Sequence, residues 1–298
     1  MQVRLPHNHS KQQTLIEESY SFLAGLQGEQ LIDQFINQTK ISGQFVYLPN
    51  ITITLTPNKK SQIDSLMITE KYILIVEVKN MKGELFFEPF PAQLIQKTEE
   101  GEKAYSCPQI QAITAAYNMK EFCMENIILD LPIYCVIAMP NRKTIIRKPP
   151  KKVKLLFGRE LPLYIEELNS LPSLLNKAQI KKLVKSIDRN QSLVKFEPLS
   201  KRYKIEVADL KKGVICKCGH LGVRINQRIW KCTKCNEEIE NALEQAMEDW
   251  FLLIKSTITI QEGIEYLGIS NRNLVRNLFI RHGLVRRGKT HQVVYSKK

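Results

Sequence analysis

With 298 residues the chain is long enough for about two domains, and no apolar run reaches the roughly 18 residues of a membrane span, which argues against a membrane protein. The formal charge of +14 comes from 44 Lys+Arg against 30 Asp+Glu and is uneven. Residues 1–150 hold 15 of each sign, whereas residues 151–298 hold 29 basic against 15 acidic residues, so the whole excess lies in the C-terminal half and suggests nucleic acid as a partner, with an anionic membrane surface or mere solubility as the alternatives. Seven cysteines, four of them crowded between 216 and 235, fit a metal cluster in a reducing compartment better than a disulfide framework. The start, MQVRLPHNHSKQQ, has one Arg and no apolar segment behind it, so it does not read as a secretory signal and a cytoplasmic location is expected.

In chain order, residues 11–39 carry Leu15, Phe22, Leu23, Leu26, Leu31, Ile32, Phe35 and Ile36 at helical spacing, with an interruption expected around Gly25 and Gly28. Glu29 then falls near the start of a second helix, where its carboxylate either points at a sheet or satisfies the helix dipole. Phe45 to Thr56 reads as a strand closed by Pro57-Asn58.

The stretch QIDSLMITEKYILIVEVK, Gln62 to Lys79, reads as a β-hairpin: two apolar, β-branched runs flank Glu70-Lys71. If that pair is a two-residue turn, Thr69 opposes Tyr72, and the same register sets Asp64 opposite Glu77. Period-two alternation puts Lys79 on the face of Glu77. Two carboxylates that close in so apolar a setting repel each other and resist desolvation, a conflict that a divalent cation removes. Mg²⁺ is commonly held by one or two carboxylates plus water and substrate phosphate, with Lys79 here beside an attacking water. The pattern points to metal-dependent phosphodiester chemistry. Its bland counterpart is a pair of surface charges on an edge hairpin.

The segment from Met81 to Ser106, rich in Pro and charge, is expected to be irregular. Pro108 opens a helix to about Met124 with Gln111 near its start, and Ile133 to Met139 is an apolar strand of the kind covered on both faces. A strand at Val153 to Phe157, a helix at Leu161 to Leu168 and another near Ala178 to Asp188 complete an α/β sandwich. Cys107, Cys123 and Cys135 read as ordinary thiols.

Residues 191–212 read as a basic linker. Cys216 and Cys218, then Cys232 and Cys235, are two close pairs with a strand-like stretch between them, the pattern of a zinc ribbon over 213–238 whose Zn²⁺ is structural, with His220 as an alternative ligand to Cys216. From 239 onward a helical stretch precedes a helix, the tight turn Gly268-Ile269-Ser270, and a second helix from Asn271 to His282. This is the helix-turn-helix pattern, with Arg272, Arg276 and Arg281 on the second helix and Arg286, Arg287 and Lys289 in a winged-helix-like hairpin, all candidates for DNA contact. A helical hairpin with a solvated basic face is the alternative.

Four motifs, AGLQGEQLIDQFI with Glu29, QIDSLMIT with Asp64, ILIVEVKNMKG with Glu77 and Lys79, and CPQIQ with Gln111, resemble in order the nuclease-related domain family of the restriction-endonuclease-like superfamily. The resemblance implies a mixed central sheet flanked by helices over residues 1–190. It also implies a site in which Asp64 and Glu77 hold Mg²⁺ (or Mn²⁺), Lys79 lies beside the attacking water, and Glu29 and Gln111 assist. Cys107 departs from the Asn that usually precedes the proline. The expected activity is that of a metal-dependent DNA nuclease delivered by its basic C-terminal modules, 213–238 and 239–298. The alternative is a non-catalytic DNA-binding or regulatory protein that keeps the nuclease fold as a scaffold.

Overall fold

The computed structural model describes residues 1–127, 131–191, 197–226, 229–289 and 293–297. Parts of the expected ribbon strand (Gln227, Arg228) and C-terminal hairpin (Thr290 to Gln292) therefore lie outside the described residues. The chain divides into two units, residues 21–195 and residues 1–20 with 196–298. Helix α1 (Gln12–Asn37) contributes its first turns to one unit and its remainder to the other.

The unit of residues 21–195 is built on a mixed five-stranded sheet. Strands β1 (Phe45–Thr56), β2 (Lys59–Thr69) and β3 (Ile73–Val78) run antiparallel in succession. The chain next forms β4 (Gly83–Pro89), β5 (Ala92–Thr98), β6 (Gly101–Ser106) and helix α2 (Pro108–Ile127), then β7 (Ile133–Met139), β8 (Thr144–Lys148) and β9 (Lys154–Phe157). Helices α3 (Leu161–Leu168) and α4 (Lys177–Gln191) follow. Strand β7 pairs parallel with β3 and β9 parallel with β7, giving the order β1-β2-β3-β7-β9. One face packs Ile32 and Ile36 of α1 and Leu161 and Ile165 of α3 over Leu74 and Val76. The other packs Met119 of α2 and Leu183 of α4 over Leu66, Ile68 and Ile75. All six residues of β3 are buried, as a strand covered on both faces requires.

The β2–β3 turn is the two-residue one. Thr69 N donates to Tyr72 O at 2.9 Å, and Thr69 Oγ1 accepts from the N–H groups of Lys71 and Tyr72. Ser65 pairs with Val76, Leu66 with Ile75, Met67 with Leu74 and Ile68 with Ile73, the register that this turn implies.

Three expectations are corrected here. The interruption at Gly25 and Gly28 is absent: α1 is one helix of 26 residues. A glycine inside a helix costs about 1 kcal/mol, and at Gly28 close packing makes it necessary, because a Cβ there would stand 2.5 Å from Asn80 Cβ. The segment from Met81 to Ser106 is not irregular. It folds as β4, β5 and β6, which with β8 form a second sheet in the order β6-β5-β4-β8. Nor are residues 191–212 a bare linker. Helix α5 (Leu199–Tyr203) lies within them, and Ile205 and Leu210 are buried against Leu5, Leu15 and Leu253.

In the second unit, β10 (Gly222–Arg224) pairs antiparallel with β11 (Trp230–Cys232). Helix α6 (Ala242–Leu253), β12 (Thr257–Ile258), α7 (Ile260–Leu267), α8 (Arg272–Arg281), β13 (Val285–Arg287) and β14 (Val294–Ser296) follow, with β14 central in a three-stranded sheet. Helix α7 opens on a capping box between Thr259 and Glu262 and ends at Gly268 in the left-handed conformation (φ 67°), where glycine has no Cβ penalty. Asn271 Oδ1 caps α8 by accepting from Leu274 N at 3.1 Å. The cysteine-bearing strands and the helices are not separate modules at 213–238 and 239–298. Trp230, Cys216 and Ile239 share one core with Met247, Trp250, Tyr266, Val275 and Phe279.

The N-terminal segment belongs to this unit through Arg4, which is 1% exposed. Its Nε donates to Asp249 Oδ2 at 2.5 Å, its Nη1 donates to Lys211 O and Gly213 O, and its guanidinium lies 5.1 Å from the Tyr266 ring centroid. Among the described residues no helix is long and apolar enough to cross a membrane. Arg4→Ala would leave the Lys211 and Gly213 carbonyls and the partly exposed Asp249 carboxylate without their donor, so it should destabilise the second unit by roughly 2 kcal/mol. Amide hydrogen exchange should show protection lost across residues 197–297 while the β3 and β7 amides stay protected; unchanged protection would contradict this role for Arg4.

Candidate active site

Strand β3 delivers Glu77 to the sheet face that α2 covers, in alternation with Ile73 and Ile75. Asp64 reaches the same place from β2 by a different route from the one its register implies. The β2–β3 ladder stops at Ser65–Val76, one pair short of Asp64 and Glu77. Asp64 Oδ2 instead accepts from Val78 N at 2.8 Å, so a side chain replaces the next ladder bond. The cause lies on the neighbouring strand. Pro49 pairs with Ser65 and Ile51 with Ile63, which places Asp64 opposite Asn50, whose φ of 46° is left-handed. Ile63 and Leu66 consequently enter the same core although an unbroken pleat would part them. Asp64 sits on that kink.

Lys79 Nζ lies 2.8 Å from Glu77 Oε1. Asp64, Glu77, Lys79 and Gln111 line one cleft of about 490 Å³, together with Lys60 and Thr114. Gln111 stands on the first turn of α2, exposed, with Nε2 3.4 Å from Ser106 Oγ. Glu29 is half-buried on α1, and close approach of that helix to the end of β3 is set by Gly28 and by Asn80, whose Nδ2 donates to Ala24 O at 2.7 Å.

Three carboxyls here hold their protons more tightly than usual. Burial raises Glu77 most, with Asp64 and Glu29 adding repulsion and Lys79 opposing it. Burial likewise raises Asp64 against the Val78 N–H and Lys79, and it raises Glu29, assisted by Asp64 and Asp33. Asp33 and Tyr47 were not singled out from sequence. Tyr47 Oη donates to Asp33 Oδ1 and is 2.8 Å from Ser65 Oγ, tying α1 to β1 and β2 one helical turn from Glu29. Glu29 and Asp33 both fall on the expected second helix, so their i, i+4 spacing was a signal for Asp33, whereas nothing local marks Tyr47.

Among the described residues, Asp64 Oδ1 and Glu77 Oε2 carry no hydrogen bond or ion pair, so each carboxylate has an oxygen to offer. Two hard oxygen donors in an open cleft fit Mg²⁺ or Mn²⁺, with the remaining positions left to water and phosphate. Residues 24–140 match the nuclease-related domain family. Over that stretch the chain is similar to nuclease-related domains. No curated protein and no solved structure matches the chain significantly. All five residues named from the motifs, Glu29, Asp64, Glu77, Lys79 and Gln111, fall inside the matched residues.

Outside it, the sulfurs of Cys216, Cys218, Cys232 and Cys235 lie within 4.8 Å of one another. Cys216–Cys235 is 3.7 Å, Cys218–Cys232 is 3.4 Å and Cys218–Cys235 is 3.8 Å. A tetrahedron with Zn–S bonds of about 2.3 Å has edges of about 3.8 Å, so the cluster fits a structural zinc site. His220 is not part of that group; its Nδ1 lies 3.0 Å from Cys218 O. Arg272, Arg276 and Arg281 of α8, Arg286 and Arg287 of β13, and Lys289 beyond it are all exposed.

Two outcomes test these sites. Because the folded chain holds protons on Asp64, Glu77 and Glu29 above the ordinary carboxylate range, it binds more protons there than the unfolded chain, and metal-free stability should fall as pH rises through that range. At pH 7 without metal, Asp64→Asn should therefore melt higher than the parent, and added Mg²⁺ or Mn²⁺ should raise the melting temperature of the parent alone. At the cysteine cluster, metal analysis should find one equivalent of zinc in the parent and none in Cys232→Ser, while the β3 and β7 amides stay protected.

Proposed function

We propose that the nuclease-related domain is a divalent-metal-dependent phosphodiesterase acting on DNA, and that the second unit delivers it. The observation that carries the reading is the meeting of Asp64, Glu77 and Lys79 in one cleft, with Glu77 standing on a strand otherwise wholly apolar. A buried carboxylate pair is costly in a scaffold with no ion to hold, which disfavours a structural role. In this reading Asp64 and Glu77 are the ligands of Mg²⁺ or Mn²⁺. When bound, the ion polarises the scissile phosphate and lowers the pKa of water.

The chain's own groups do the rest. Lys79, held by Glu77 Oε1, keeps its ammonium at the cleft, where it orients the attacking water or balances charge on the phosphate. Glu29, with its proton affinity raised, stands ready to accept or return a proton. Gln111, on the rim, contacts the sugar-phosphate backbone.

The arrangement of α7, the Gly268 turn, α8 and the strands β13 and β14 supports a winged helix-turn-helix, in which Arg272, Arg276, Arg281, Arg286, Arg287 and Lys289 contact DNA largely through phosphates. The four-cysteine cluster holds Zn²⁺ as a zinc ribbon that stabilises this unit.

The two halves should fail differently when altered. With supercoiled, linear and single-stranded DNA and Mg²⁺ or Mn²⁺, the parent should cut. Asp64→Ala or Lys79→Ala should lower single-turnover cleavage by at least about 100-fold with near-normal binding, the scale of losing a group that acts in the transition state. Arg272→Ala with Arg276→Ala should weaken binding and lower the slope of log affinity against log salt by about 2. Absence of cleavage by the parent with every metal and substrate would overturn the enzyme reading.

A further inference from the structure

The second unit contains a cleft of about 960 Å³ between two walls that the sequence reading kept apart. One wall is the ribbon, through Arg224 at the end of β10 and the following Ile225 and Asn226. The other is α8 and its cap, through Asn271, Leu274, Asn277, Ile280 and Arg281. Because both walls rest on the single core that Trp230 and Phe279 share, their spacing is fixed by packing.

The chemistry of the walls is one-sided. Among the described residues that line it, none is acidic and none is aromatic. Each wall also comes from a longer acid-free stretch: residues 211–236 contain seven Lys or Arg and no Asp or Glu, and residues 271–289 contain six and none. Such a surface suits a polyanion. A single strand is ordinarily held by bases stacked on aromatic rings, which the described residues of these walls lack. Amides and guanidiniums serve both phosphates and base edges of a duplex. The two apolar side chains left in solvent, Ile225 at 57% and Ile280 at 61% exposed, can meet sugar rings and thymine methyl groups.

Helical spacing sharpens the assignment. Leu274, Asn277 and Arg281, at i, i+3 and i+7, form the stripe of α8 that faces the cleft. Arg272 and Arg276 do not line it, although Ile280, four residues beyond Arg276, reaches its edge. Arg224 is held over its own turn, with Nε donating to Asn226 O at 3.0 Å, so its guanidinium is presented from a braced position.

We infer that the ribbon is a second DNA-contacting wall: one sugar-phosphate strand of a duplex seats between Arg224 and Arg281 while α8 faces the adjoining major groove. This rests on the proposal that the second unit binds DNA, and it adds to the ribbon a function beyond holding zinc.

The test uses the full-length chain and a fluorescent DNA duplex of about 20 base pairs, with binding measured across a salt titration and zinc content checked for every variant. Arg224→Ala and Arg281→Ala should each weaken binding about fivefold or more and lower the salt slope by about 1, and Arg224→Lys should recover most of the slope. Ile225→Glu places a carboxylate in the cleft at an exposed position that supports no packing, and it should weaken binding at least as much with zinc retained. If the parent binds duplex and Arg281→Ala weakens it while Arg224→Ala and Ile225→Glu do not, the ribbon wall is wrong and DNA binding by α8 stands. If the parent binds no duplex, DNA binding by this unit fails and the ribbon wall with it. Competition by a single strand at lower concentration than duplex would overturn the choice of duplex.

Discussion

The desolvation of Glu77 is the constraint on which the nuclease-related domain is arranged. Its strand is sandwiched between helices on both faces, and every side chain of β3 is buried, so a carboxylate there meets a large penalty for being charged. The open cleft beside it is one relief, and the Lys79 ammonium at 2.8 Å is another. Asp64 adds to the strain on Glu77 and is itself secured by the Val78 N–H. The sheet gives up one ladder pair to seat it. A structure that spends regular hydrogen bonding to bring a second anion beside a buried first one is organised for something outside the chain, and a divalent cation matches that demand in charge and in hardness.

The kink that achieves this was only half legible in sequence. Apolar runs around a polar dipeptide fix the hairpin and its register, because a slip of one residue would turn the whole apolar set to the wrong face. That register brings Asp64 level with Glu77. It does not disclose that β2 changes face between Ile63 and Leu66, because the cause is a left-handed Asn50 on another strand. Asn tolerates such a backbone better than most residues, yet nothing in the local sequence marks this Asn out from its neighbours.

The misread segments share a physical reason: their partners are distant in sequence. Glu84 and Glu88 made residues 81–106 look like a solvated loop, but Arg147 and Lys148 on the parallel neighbour β8 pair with them. Leu85 and Phe87 meanwhile alternate inward to a core that includes Met139. Gly25 and Gly28 suggested a break because local propensity disfavours them, whereas Asn80, some fifty residues on, needs the space at Gly28. Residues 191–212 read as linker because the apolar Ile205 and Leu210 find Leu5 and Leu15 at the other end of the chain. Periodicity finds elements that bury a face against their neighbours; it is blind to short segments anchored by one or two long-range contacts.

The second unit extends that argument to function. Two cysteine pairs and a helix–turn–helix rhythm are each local signals, and read locally they describe two modules joined in series. Packing joins them. Once Trp230 and Ile239 enter the same core as Trp250 and Phe279, the ribbon can no longer tilt independently of α8, and Arg224 acquires a fixed distance to Arg281. A flexible pair of modules would lose conformational freedom each time both engaged one ligand; a shared core has already met that cost in folding. The buried Arg4 works in the same direction, tying the segment before α1 to Asp249 of α6 and to Tyr266 of α7, the helix that leads into α8. Stability of this unit and geometry of its basic cleft therefore depend on the same contacts, which is why the four-cysteine cluster, Arg4 and the aromatic core all bear on how the cleft presents its two arginines.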